Sequence, residues 1–402
     1  MSIPLPPNPK DLFLLDPGIV YLNHGSFGAC PRPVFDTYQN WQRGLERQPV
    51  EFLAGRALQL LAEARQSLAD YLGAARDDIV FFTNPTTAIN MVVRSLVERI
   101  DDPLIPGDEI LTTDHEYGAM TRTWRFYCYK KRLHYKQCNI PLPVTNEREF
   151  IDRFWAGVTD ETRVIFISHI TSPTGLIFPV RKICQRAREA GIITIIDGAH
   201  APGQIPVNMG ELNADFYTGA CHKWLMAPKG SAFLYARSEL QGWLEPLIVS
   251  WGYESEKPSG SLFIDYHEWQ GTRELAPFLS VPAAIQFQEI NNWDNIRERC
   301  HLMAIETQRR ISELTGLEPI SPIESIPSGR ETRYPWFLQM FSARLPSLVD
   351  VDQLKQHLHQ DYRIEVPVFE WNNYKLIRVS YQGYNDQSDV EILIEALSKL
   401  IR

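Results

Sequence analysis

Ile192-Ile193-Thr194-Ile195-Ile196-Asp197-Gly198-Ala199-His200 is the stretch that orders the rest of the chain. Its first five residues are all β-branched, with no alternation of polar and apolar positions. A run so short and so stiff at χ1 suits a strand buried on both faces, the kind found in parallel sheets covered by helices. Runs of the same character recur at Ile79–Phe82, Ile110–Thr113, Val164–Ser168, Phe216–Thr218 and Ala232–Tyr235. Between them lie segments with helical spacing. Leu61, Ala64, Leu68 and Leu72 share one face of one such segment, and Met120, Trp124, Tyr127 and Cys128 share a face of another. Strands alternating with helices predict βαβ units and a mostly parallel sheet, hence an α/β domain.

The texture changes after about Pro277. A long helical pattern begins near Val281 and runs past Trp293. Prolines follow at Pro319, Pro322 and Pro327, then the apolar run Trp336–Phe341 and a strand over Leu376–Ser380. The chain closes on a helix whose stripe is Val390, Leu393, Ile394, Leu397 and Ile401, with Asp386 and Ser388 offering N-caps. The predicted division is an N-terminal arm over residues 1–20, a large domain over 21–275 and a smaller α+β C-terminal domain over 276–402.

The chain has 402 residues and a formal net charge of −9, which argues against nucleic acid or an anionic membrane as its main partner. Its six cysteines are scattered without CxxC spacing, so neither a disulfide framework nor a metal site is expected. Residues 1–16 are rich in proline and lack the basic-then-apolar layout of a signal peptide, and no apolar run reaches membrane-spanning length. The expectation is a cytoplasmic protein.

Chemistry concentrates where the predicted strands end. Lys223 lies in Gly219-Ala220-Cys221-His222-Lys223-Trp224, just after the strand Phe216–Thr218. Enclosure between a histidine and an indole disfavours the ammonium and favours a nucleophilic amine. Asp197 ends the neighbouring run. In open α/β sheets ligands bind at such carboxyl ends, and a carboxylate there can keep a pyridine nitrogen protonated, as pyridoxal 5′-phosphate (PLP) requires to act as an electron sink. Alone, the simpler reading of Asp197 is a turn cap. His200 either donates to the cofactor's phenolic oxygen or merely packs. In Thr83-Asn84-Pro85-Thr86-Thr87, the hydroxyls of Thr86 and Thr87 at a helix N-terminus can cradle a phosphate, or a threonine can simply cap the helix.

Phosphate cup, Asp-Gly-Ala-His and His-Lys-Trp, in that order, resemble the class V aminotransferase family of fold-type I PLP enzymes and, within it, the isopenicillin N epimerase-like proteins. Further matching stretches are Tyr21-Leu22-Asn23-His24-Gly25-Ser26-Phe27-Gly28, Asp114-His115-Glu116-Tyr117-Gly118-Ala119, His169-Ile170-Thr171-Ser172-Pro173-Thr174-Gly175, Gln270-Gly271-Thr272-Arg273, Arg378-Val379-Ser380 and Tyr384-Asn385. The likeness runs from Tyr21 to the last helix. It implies the aspartate aminotransferase-like fold, and a Schiff base on Lys223, which then shuttles the α-proton. It implies Asp197 at the ring nitrogen, His200 and Ser172 near the phenolic oxygen, and Tyr117 over the ring face. Thr86, Thr87 and His222 hold the phosphate, and Thr272 reaches the phosphate of a neighbouring subunit in a homodimer. Arg378 clamps the substrate carboxylate, while Asn23 and His24 line the substrate side. Read without the family, Arg378 is an ordinary ion-pair residue.

Desulfurases of this class carry a nucleophilic cysteine shortly before the equivalent of Arg378. Here that region reads Ile364-Glu365-Val366-Pro367-Val368-Phe369-Glu370, and no cysteine follows Cys300. Persulfide-forming desulfuration is therefore not expected. Epimerisation at the α-carbon of an amino acid is the leading expectation. A C–S lyase or an aminotransferase on the same scaffold is the alternative, and a PLP-binding protein without activity is the reading from outside enzymology.

Overall fold

A computed structural model of the chain describes residues 9–323 and 335–401. Pro327 and the first eight residues of the expected N-terminal arm lie outside them. The strands in chain order are Val20–Tyr21 (β1), Ile79–Phe82 (β2), Glu109–Thr113 (β3), His134–Cys138 (β4), Thr162–Ser168 (β5), Ile193–Asp197 (β6), Phe216–Ala220 (β7), Ala232–Ala236 (β8), Met340–Leu345 (β9), Ile364–Glu365 (β10), Val368–Trp371 (β11) and Tyr374–Ser380 (β12).

Seven strands form the main sheet in the order β2-β8-β7-β6-β5-β3-β4. The pairs from β7 through β4 are parallel, and β8 runs against both β7 and β2. Six strands therefore point one way, and their carboxyl ends share one edge of the sheet. The exception has a simple cause. Only residues 221–231 join β7 to β8, too few for the crossover that a parallel pair needs, so the two strands meet as a hairpin. Lys223 lies in that connection, with no helix after it.

Burial accounts for which strands the sequence announces. Every residue of β2, β7 and β8 is buried, whereas β4 is a half-exposed edge strand, His-Tyr-Lys-Gln-Cys, with no apolar run to mark it. The helix Ala57–Leu72 buries Leu61, Ala64, Leu68 and Leu72 as its spacing predicts, and Gly118–Lys131 buries Met120, Trp124 and Cys128.

The C-terminal part departs more from expectation. The long helical pattern from Val281 is two helices, Val281–Ile290 and Trp293–Thr315, broken at Asn291 and Asn292. Asn292 takes φ +47°, a left-handed turn that asparagine tolerates. The run Trp336–Phe341 is mostly a buried lead-in, since β9 begins only at Met340; the Trp336 carbonyl instead accepts from the Ile177 amide at 2.7 Å. Strands β9, β11 and β12 form an antiparallel sheet in the order β11-β12-β9. Asp386, not Ser388, caps the last helix, through a reciprocal box with Asp389. Strand β1 pairs with β10, and Asn23 bridges to Ser380, which draws the segment after Tyr21 onto the C-terminal sheet. Among the described residues no helix is long and apolar enough to cross a membrane.

Candidate active site

The common edge of the main sheet gathers Asp197, the Thr83–Thr87 segment and the connection bearing Lys223. Ser168 pairs with Asp197 and Asp197 with Thr218, while Phe82 and Ala220 both pair with Ala232. The Thr83–Thr87 segment and the connection bearing Lys223 thus start from opposite sides of one residue. This is the ligand-binding position of an open α/β sheet.

Lys223 is held by its backbone. Its carbonyl accepts from His24 Nε2 at 3.1 Å and from the Met226 amide at 3.0 Å. Gly28 at φ +68° lies against the same backbone; a Cβ there would sit 2.4 Å from the His222 carbonyl and 2.9 Å from Lys223 Cα. Gly203 at φ +90° packs the next residue, where a Cβ would meet the Trp224 carbonyl carbon at 2.3 Å. Both positions need glycine twice over, for the dihedral and for the approach. The Lys223 amine lies 3.1 Å from His200 Nε2. Burial brings it down from 10.5 to about 8, against the opposing pull of Asp197. About one-tenth of it is then neutral at pH 7, several-hundred-fold more than for a free lysine.

Asp197 is buried and its Oδ1 accepts from the Ala199 amide at 2.9 Å, so it does cap its turn, but with one oxygen. Burial raises its carboxyl above the ordinary range; a cationic ring partner would favour the ionised form. At the helix Pro85–Glu98 the cap is Asn84, whose Oδ1 accepts from the Thr87 amide at 2.8 Å and the Thr87 hydroxyl at 3.0 Å. A threonine cap is therefore not what these residues provide. Thr86 and Thr87 stand half-buried in the first turn of a 14-residue helix, where an anion is stabilised. His222 Nδ1 donates to the Ser231 carbonyl at 2.8 Å, so its Nε2 can donate to a phosphate once the ring takes up a second proton.

Arg378, on β12, is 7% exposed, and among the described residues no carboxylate lies within 4.0 Å of it. The ion-pair alternative therefore does not hold for it. Its Nη1 donates to the Ser172 carbonyl at 2.6 Å and to Ser172 Oγ at 3.2 Å, its Nη2 donates to Ser26 Oγ at 2.9 Å, and its buried Nε has no partner. Ser172 is thus placed beside the guanidinium. Tyr117 is half-exposed at the N-cap of the helix Gly118–Lys131. Asn23 accepts from the Ser26 hydroxyl and so reaches Arg378 through it. His24 differs from the expectation that it faces a substrate. Its ring is fully enclosed, Nδ1 meets the Tyr384 hydroxyl at 2.9 Å, and Nε2 meets the Lys223 carbonyl, so we read it as a support for the lysine. Thr272 is exposed, on the loop before the helix Ala276–Leu279.

Two residues inside the quoted stretches had no assigned part. Ser26 carries the arginine. Glu116, buried, accepts from Thr113 Oγ1 at 2.6 Å and from the Ser168 amide at 2.9 Å, tying the turn after β3 to β5. Burial raises its carboxyl to about 7. Only the placement of a carboxylate next to an aromatic at a strand end hinted at it. Burial pushes the Cys30 thiol up to about 12 and raises that of Cys221, beside the lysine, above its ordinary range.

Comparison with known proteins agrees with this geometry. The chain is 38% identical to isopenicillin N epimerase of Amycolatopsis lactamdurans over 98% of both chains, and 33% identical to that of Streptomyces clavuligerus over 96% of both. The solved complex of the cystine C–S lyase C-DES with its product cysteine persulfide superposes with a TM-score of 0.79 at 20% identity, covering 96% of this chain and 99% of that one. That likeness shows the fold, a fold-type I arrangement. Residues 20–329, well over half of the chain, match the profile described as aminotransferase class-V, and the chain belongs to that family.

Proposed function

We propose that this chain is a PLP-dependent epimerase that takes and returns the proton on the α-carbon of an amino acid. One observation carries the reading: a buried lysine amine, brought down to about 8 and acted on by both Asp197 and Arg378, and the buried Arg378 guanidinium, which reaches Ser172 and has no carboxylate partner among the described residues. The donors fit PLP. Lys223 supplies the amine for the aldehyde, Asp197 the partner of the ring nitrogen, and Thr86, Thr87 and His222 the phosphate cup. Tyr117 covers the ring face, and His200 and Ser172 serve the phenolic oxygen. When bound, PLP supplies an electron sink for the α-carbanion.

The chain's own residues do the rest. Arg378, fixed by Ser172 and Ser26, orients the carboxylate so that the α-proton faces the Lys223 amine. Lys223, partly neutral near pH 7, takes that proton, and Tyr117 or a histidine of the site delivers one to the opposite face, which inverts the centre. Asn23 holds Ser26 in place. We infer further that the enzyme is a homodimer in which Thr272 reaches the neighbour's phosphate. The exposed apolar residues Val249 and Trp251, in the segment leading to that loop, support a covered surface there. Six unpaired cysteines suit a reducing cytoplasm. We further infer a division into an arm over residues 1–20, a large domain over 21–275 and a small domain over 276–402; the last strand of the main sheet ends at Ala236 and the C-terminal sheet begins at Met340, on either side of the second boundary.

The decisive experiment incubates the purified protein with single amino acids in deuterium oxide. α-Deuterium uptake with inversion, without pyruvate or keto acid, is expected. Pyruvate would make the protein a C–S lyase, and keto acid an aminotransferase. Borohydride reduction should fix the PLP label on Lys223, and a label elsewhere removes the assignment.

A further inference from the structure

Trp224 follows the catalytic lysine and is fully buried, which by itself says only that it fills space. Its contacts say more. The indole Nε1 lies 3.3 Å from His200 Nδ1, and His200 Nε2 lies 3.1 Å from the Lys223 amine. An indole N–H can only donate, so His200 Nδ1 is the acceptor and carries no hydrogen. A neutral imidazole then has its single hydrogen on Nε2, pointing at Lys223. An ammonium has no lone pair to receive it. The three-membered chain is complete when His200 donates to a neutral lysine amine, the state Lys223 takes above about pH 8.

We propose that Trp224 is a positioning residue that locks His200 in its Nε2–H tautomer, so that the ring presents a donor to the Lys223 amine and, once PLP is bound, to its phenolic oxygen. The second half rests on the PLP reading above; the first half does not.

The surroundings favour the lock. A second proton on His200 would face Lys223, Arg378, His222 and His24, all cationic or potentially so, and burial holds the ring well below its ordinary range. Asp197, the acidic group facing Lys223, acts on the lysine. Trp224 is held by its backbone, whose carbonyl accepts from Gln288 Nε2 at 2.9 Å and against which Gly203 closes, and by its ring, which packs on His24 with centroids 4.9 Å apart. Nor is the pairing forced by burial alone, since the equally buried indole of Trp124 leaves its N–H without a partner.

The test reads the tautomer directly. Protein labelled with 15N-histidine is examined by side-chain nitrogen spectroscopy in its PLP-free and PLP-loaded forms, with His200 assigned through His200→Asn. Read above pH 8, where the Lys223 amine is neutral, the expected result is a bare Nδ1 and a protonated Nε2 in both forms. Replacing Trp224 with benzothienylalanine, which has the indole's outline but sulfur for N–H, should let His200 populate the Nδ1–H tautomer; Trp224→Phe should do the same. An Nδ1–H tautomer in the unaltered PLP-free chain overturns the proposal without any variant. So does a pure Nε2–H population in the benzothienyl protein, which would leave Trp224 a packing residue. If the lock is found but borohydride places no PLP on Lys223, the functional reading fails and the lock survives.

Discussion

Arg378 is the sharpest place to perturb the substrate side. Its guanidinium is held at about 10 by burial and so stays charged at pH 7, yet the described residues give it no carboxylate, only the Ser172 carbonyl and two hydroxyls. A buried cation in that state gains from an incoming carboxylate more than a solvated one does. Hydrogen bonds to charged groups contribute about 1.5–3 kcal/mol each. Two parallel bonds to a substrate carboxylate therefore amount to roughly 3–6 kcal/mol before the carboxylate's own desolvation is subtracted. A net loss of about 3 kcal/mol, or ~10²-fold in affinity, is expected for Arg378→Ala. Arg378→Lys keeps the charge but loses the fork, and should fall between the variant and the parent. The assay is spectral titration of the PLP-loaded enzyme with an amino acid and with the matching amine. Amine binding and PLP content should not change, so the preference for the amino acid collapses. If Arg378→Ala binds amino acids as tightly as the parent, the carboxylate is held elsewhere and the assignment of the Ser26–Arg378–Ser172 cluster is refuted.

Asp197→Asn should still take up PLP but lose at least ~10²-fold in turnover, the scale of removing one electrostatic stabiliser; near-normal rates would reduce Asp197 to the cap it forms on Ala199. Lys223→Ala and Thr272→Asp, each inactive alone, should recover part of the activity when subunits are exchanged, whereas a sedimenting monomer that turns over substrate contradicts a shared site. In the PLP-free chain, Lys223 should react with aldehydes at a rate that rises with pH and levels off above about 8, because the neutral amine is the nucleophile and burial lowers its pKa. A rise that continues to above pH 10 would show an ordinary, solvated lysine.

Much of this site was legible because its parts are local. A strand buried on both faces must be apolar throughout, so β2, β5 and β6 stand out as β-branched and aromatic runs, and the polar residue that follows each marks the edge of the sheet. Asp197, Thr86 and Thr87 could be found that way, and Lys223 from the shorter run at the start of β7 just before it. Arg378 could not be told from an ion-pair residue until its surroundings were known.

Tertiary structure decided what depends on partners far apart in the chain. His24 reaches Lys223 across 199 residues and Ser26 reaches Arg378 across 352, so neither contact leaves a local pattern. The same holds for Gly28 and Gly203, whose need for glycine arises from a backbone that another part of the chain brings against them. The reversal of β8 followed from the length of a connection, and β4 escaped notice because an edge strand needs no apolar face. Local sequence determines which segments must be buried and which chemistry ends each strand. The protonation state of that chemistry is set only when burial removes water from it and folding supplies the neighbours.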